Sequence, residues 1–306
     1  MSPAQVRPAL LQLQDEPVRV RLIDERSTAF RAAVASAPSL DVQVPTCPEW
    51  TLFDLVQHLG QGRRFWAATV AAGLPMLPPA DAAAERAVAA PREREALLAW
   101  LAASTQQLLD ALREADPDRG CWTWWGDSQS PQTCGAVARN QLQEIAVHTH
   151  DAQVTLGAPQ PLPDEVALDG VDEFLATCCA TTAAWPHKPT AFDFHATEGH
   201  SWRLTVDGDG ARSTPPRATA TATPTATGEG PDAPGVTVRG TASELVLFKD
   251  VTVRHLLRSG PKETRRLGSA RSAGTSAPHR PQAHEGGSAA RHQAVHLRVD
   301  LELPVS

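Results

Sequence analysis

The sequence predicts an α+β fold: a four-helix bundle over residues 1–160, a smaller α/β unit over 161–250 and an unstructured tail over 251–306. Three observations predict it. Through most of the first half, apolar residues recur every three or four positions, the period of amphipathic helices. Two later stretches alternate apolar and polar residues, the period of half-buried strands. From Lys249 onward Arg, Ser, Gly, His and Pro dominate and no period survives. A length of 306 residues with 42% hydrophobic residues is enough for about two domains with sizeable cores.

Taken in order, the helical pattern covers residues 22–37, 51–73, 93–115 and 134–157. Four such segments imply a bundle. Thr51 is placed to cap the second, with Asp54 three residues on as the acid of a capping box, and Gly157 is placed to stop the fourth. After Pro163 the stretch "DEVALDGVDEFLATCCATTAAW" is again helical, and "TAFDFHAT" and "SWRLTVDG" read as strands around Glu198, Gly199 and His200. Residues 211–235, rich in Thr, Ala and Pro with almost no large apolar group, read as a mobile loop. The pattern resumes in "VTVRGTASELVLF" and stops near Phe248.

Composition excludes several function classes. A net charge of -7 and a pI near 5.9 give no general attraction for phosphate backbones or anionic lipid, so neither nucleic acid nor a membrane is an expected partner. The N-terminal stretch lacks the apolar core of a signal peptide, and no run of about 18 apolar residues occurs. A cytoplasmic protein is expected. Five cysteines with no Cys-x-x-Cys pair read as reduced thiols and not as a disulfide framework. Tyr is absent while Ala, Arg and Pro abound, as a very GC-rich coding sequence of actinobacterial type would impose. Such genes keep alternative frames open, and the tail has the composition of one. A change of reading frame near Phe248 and a native unstructured extension are both compatible with it.

The stretch "EIAVHTHDAQ" carries the chemistry. On the fourth helix Gln141, Glu144, His148 and Asp151 fall along one stripe, so Glu144 and His148 project from one side about a turn apart. A solvated ion pair is one reading. Two ligands of one metal is the other, and a third would come from another helix. His58 shares a stripe with Leu55, Gly62 and Phe65, which makes it an inward imidazole: a core histidine bonded to a carbonyl, or the missing ligand. Two neutral imidazoles and a carboxylate suit Zn²⁺ with an open coordination position, and Fe(II) uses similar ligands. His150 and Asp151 either support a ligand or are solvated.

"VPTCPEWTLFDLVQHLG" (44–60) resembles the signature of the mycothiol-dependent maleylpyruvate isomerase family, and "EIAVHTHDAQ" resembles its second signature. "CWTWWGD" and "VRGTASELVLF" extend the similarity over roughly residues 22–248. The resemblance implies a DinB-like metal-binding bundle whose metal, most simply Zn²⁺, is held by His58, Glu144 and His148. It implies mycothiol as thiol cosubstrate, and an isomerase or S-transferase acting through a metal-activated thiolate. For a maleylpyruvate-like substrate the thiolate would add to the conjugated double bond, the resulting single bond would rotate, and expulsion of the thiol would leave the trans isomer. In the family a C-terminal arginine is thought to act on substrate, after a Gly-Arg pair. Here "FKDVTVRHLLRSG" follows, so no arginine carries over. The alternative is a metal-binding or ligand-binding module without turnover. A substrate-side cation separates the two, and Arg63, Arg64 and Arg139 are its candidates. Trp122, Trp124 and Trp125 either rim the metal cavity or anchor a loop. Cys47, Cys121, Cys134, Cys178 and Cys179 lie in no nucleophilic arrangement.

Overall fold

A computed structural model of the chain describes residues 15–73, 80–218, 235–247 and 298–300. It is an α+β fold. Four long helices, α1 (Glu16–Ser36), α2 (Leu52–Ala72), α4 (Arg94–Glu114) and α5 (Cys134–Thr155), form the bundle. A two-stranded hairpin, β1 (Gln43–Val44) with β2 (Cys47–Thr51), leads into α2, and a short helix, α3 (Ala80–Arg86), lies between α2 and α4.

The expected caps are made. Thr51 Oγ1 accepts from the Asp54 amide at 3.3 Å, while Asp54 Oδ2 accepts from the Thr51 amide at 2.9 Å. The α2 N-terminus is thereby satisfied on both sides. Gly157, at φ 70°, takes the left-handed conformation just past the end of α5. The main pairings within the bundle are α1 against α5 and α2 against α4. The second is close because Gly60 has no side chain: a Cβ there would meet the Trp100 ring at 2.0 Å.

Beyond the bundle, α6 (Asp164–Phe174) runs into a π-helical turn, Leu175–Cys179. A five-stranded sheet follows, in the order β5-β4-β3-β6-β7, from β3 (Thr190–Ala196), β4 (His200–Asp207), β5 (Gly210–Ala218), β6 (Val236–Gly240) and β7 (Arg298–Asp300). Phe192, Phe194, Trp202, Leu204 and Val238 alternate onto its buried face and pack in one apolar cluster with Val166, Val171 and Phe174 of α6. That cluster continues into Val137, Leu142 and Ala146 of α5. Polar ties fix α6 to the same helix. Arg139 donates to Asp169 Oδ1 at 2.9 Å and to Asp172 Oδ2 at 2.8 Å, and Asn140 Nδ2 donates to Glu173 Oε1 at 3.0 Å.

Two readings of the chain's later part need correction. Residues 211–218 belong to strand β5, not to a mobile loop. Their prolines concealed it: β5 is an edge strand, and Pro215 and Pro216 fall where its register with β4 shifts, between the Ser201 and Arg203 pairs. There the ladder does not need their missing amides. Residues 219–234 lie outside the described residues. So does the tail, including any change of frame after Phe248, except for 298–300, which pair antiparallel with β6 as β7.

Candidate metal centre

The bundle brings His58 of α2 to Glu144 and His148 of α5. One nitrogen or oxygen from each lies within 4.8 Å of the other two. His58 Nε2 is 2.8 Å from Glu144 Oε1, and His148 Nε2 is 3.5 Å from the same oxygen. Ligands on a tetrahedral ion at about 2.0–2.2 Å stand roughly 3.3 Å apart, so the three side chains fit a small divalent cation with little movement. The two imidazoles meet edge to face at 5.2 Å. Trp50, from β2, packs against both, 4.7 Å from His58 and 6.3 Å from His148. Periodicity alone assigns this tryptophan no role. Its place one residue before the Thr51 cap is what delivers it to the site.

Burial divides the three. His148 is 8% exposed, whereas the side chains of His58 and Glu144 keep 31% and 37% of their surface accessible. What they expose faces a cavity of about 330 Å³ that both of them line. His58 is thus not enclosed in the core, as its stripe suggested, because Gly62 one turn on leaves the space beside it open. Asp151 lies behind His148: its Oδ2 is 2.8 Å from Nδ1, and it is 4% exposed. His150 stands elsewhere, with Nδ1 3.0 Å from the Gln160 carbonyl.

The charges are coupled. Burial pushes the His148 imidazole down, but hydrogen bonds and attraction from Asp151 and Glu144 outweigh it and push the pKa up to about 10. Burial raises the Glu144 carboxyl, yet hydrogen bonds from His148 and His58 hold it well below the usual carboxylate range. The His148 proton thus balances the Glu144 charge. A divalent ion at the cluster would take over its charge-balancing role.

The cavity walls are aromatic. Phe65, Trp66, Trp122 and Trp124 line it, with Arg86 and Gln141 among the polar groups. The tryptophan segment therefore divides its work. Trp122 and the 52% exposed Trp124 face the cavity, while Trp125 is buried and donates its indole N–H to the Pro131 carbonyl at 3.1 Å, anchoring the loop. None of the five cysteines is joined in a disulfide. Cys121 and Cys134 flank this loop, both buried. A hydrogen bond between them pushes Cys121 up and brings Cys134 down to about 6, helped by Arg119.

Among the described residues no helix is long and apolar enough to cross a membrane. No curated protein matches the sequence significantly. Two solved structures align with it, a mycothiol-dependent maleylpyruvate isomerase and a histidine-to-alanine mutant of that enzyme. Each shows 14% identity and a TM-score of 0.49, over 76% of this chain and 87% of the other. The family model described as the mycothiol maleylpyruvate isomerase N-terminal domain matches residues 20–153, and that of the corresponding C-terminal domain matches residues 165–248. With both models matched in order along one chain, the protein belongs to the mycothiol-dependent maleylpyruvate isomerase family.

Proposed function

We propose that this protein is a metal- and mycothiol-dependent isomerase or S-transferase whose metal, Zn²⁺ by the chemistry of its donors, is held by His58, Glu144 and His148. The observation that carries the reading is the convergence of these three side chains where an aromatic-walled cavity meets the bundle, in a member of this family. Two imidazoles and one carboxylate leave at least one coordination position open, as catalytic zinc sites do. Zn²⁺ bound there would lower the pKa of an entering thiol, so that the reactive thiolate exists near neutral pH.

The chain's own residues do the rest. Asp151 accepts the Nδ1 proton of His148 and so turns Nε2 toward the site. Trp50 packs on both imidazoles and restrains their rotation. The indoles of Trp66, Trp122 and Trp124 offer flat apolar surface to an unsaturated substrate and displace water from it. Addition of the thiol to a conjugated double bond leaves a single bond, and rotation followed by expulsion of the thiol gives the trans isomer. We assign the protein to the cytoplasm, where five cysteines outside any disulfide stay reduced.

The experiment is turnover by zinc-loaded protein of a maleylpyruvate-like cis acid, and conjugation of mycothiol to electrophilic acceptors, each with and without the thiol. Thiol-dependent turnover of either kind is the expected result. Turnover without thiol would point to a metal-activated water and a hydrolase. No turnover, with metal retained, would leave a binding module.

A further inference from the structure

The cavity beside the three metal-competent side chains contains one permanent cation among its described lining residues, and it is none of the arginines the sequence suggested. Arg139 is engaged by Asp169 and Asp172. Arg64 pairs with Glu85 at 2.6 Å. Arg63 is 2% exposed inside the bundle and donates to the Thr105 hydroxyl. Arg86, the last residue of α3, lines the cavity instead, with its guanidinium carbon 5.7 Å from the centre of the Phe65 ring.

We infer that Arg86 anchors the carboxylate of the substrate in this cavity, an inference that rests on the functional reading above. A guanidinium lying over an aromatic ring has its orientation restrained while the N–H groups at its edge remain available. Those donors match a carboxylate in a fork. Among the described residues no carboxylate occupies them. Arg86 is exposed, and an ion pair at an open surface contributes little, but the Phe65 ring beside its guanidinium keeps water from one face and strengthens the attraction.

Polarity within the cavity fixes which way an acid would lie. Arg86 is the permanent cation of that described lining, so the carboxylate of an entering molecule is drawn toward it. The flat unsaturated part is then left against the indoles, toward the His58 side. A volume of about 330 Å³ suits a short unsaturated acid. Gly62 keeps that wall open: it lines the cavity and a Cβ there would meet nothing within 4 Å, so a longer side chain would occupy the cavity's own space.

The test is equilibrium binding of maleate to the zinc-loaded protein, read by tryptophan fluorescence and calorimetry, with neutral maleamide as control. Arg86→Gln is expected to weaken maleate binding about ten- to a hundredfold, the range for losing a charge-assisted hydrogen bond, and to leave maleamide binding and zinc content unchanged. Arg86→Lys should recover part of the loss, because it keeps the charge without the fork. Gly62→Leu should weaken both probes by narrowing the cavity. Equal maleate affinity in wild type and Arg86→Gln would overturn the assignment, as would equal loss of maleate and maleamide, or no maleate binding to the wild type at millimolar concentration. Mycothiol plays no part in this titration. Loss of maleate binding in Arg86→Gln, alongside failure of any thiol-dependent turnover, would keep the anchor and remove the functional reading.

Discussion

Asp151 Oδ2 lies 2.8 Å from His148 Nδ1, and the opposite nitrogen of that ring, Nε2, is 3.5 Å from Glu144 Oε1. The spacing i, i+4, i+7 on one helix puts Glu144, His148 and Asp151 in line, with the carboxylate of Asp151 behind the imidazole and that of Glu144 in front. A carboxylate behind a ligating histidine fixes its tautomer and its angle. Asp151→Asn is therefore expected to lower zinc affinity about ten- to a hundredfold without unfolding the protein. A chelator competition titration measures it. Unchanged affinity would mean that His148 is oriented by packing alone.

Metal binding should depend steeply on pH. Asp151 and Glu144 hold the His148 proton up to about 10, and an incoming cation must expel it. Affinity should rise with pH by about tenfold per unit from neutrality toward that value, with close to one proton released. Calorimetry in buffers of different ionisation enthalpy counts the proton. In the metal-free protein the sign is opposite. A folded-state pKa above the ordinary imidazole value, about 6.5, means stability fully present below 6.5 and lost as pH rises through about 10. The melting temperature of the metal-free wild type should fall across that window more than that of His148→Ala.

Gly60 controls how closely α2 approaches α4. Gly60→Ala would drive a methyl into the Trp100 ring, and it should destabilise the protein by about 1–3 kcal/mol in urea denaturation. Because His58 lies two residues away on α2, zinc affinity should fall as well. An unchanged urea midpoint would show that Trp100 turns aside freely.

Most of the bundle and the cluster was legible in the sequence because both rest on helical period. Residues 134–157 show the stripe plainly, and the helix formed is Cys134–Thr155. Thr51 and Asp54 announced their capping box three residues apart. What stayed hidden lacks periodic contrast. The hairpin Gln43–Thr51 has strands of two and five residues, too short to alternate visibly, so Trp50 was not placed beside the imidazoles. Helix α3 reads "ADAAAER": its one buried side chain is Ala82, so no large apolar residue marks its inner face. Arg86 was missed with it. In β5 the prolines suggested a loop, because the fact that tolerates them, an edge position with a register shift, belongs to the sheet and not to the strand.

The central claim is that His58, Glu144 and His148 together hold a divalent metal. The most direct measurement is elemental analysis of purified, zinc-equilibrated wild type alongside His58→Ala, Glu144→Ala, His148→Ala and His150→Ala, with circular dichroism to confirm that each is folded. The account predicts close to one equivalent of zinc in wild type and His150→Ala, and roughly a tenth or less in the other three. A folded His148→Ala protein that retains a full equivalent would contradict it.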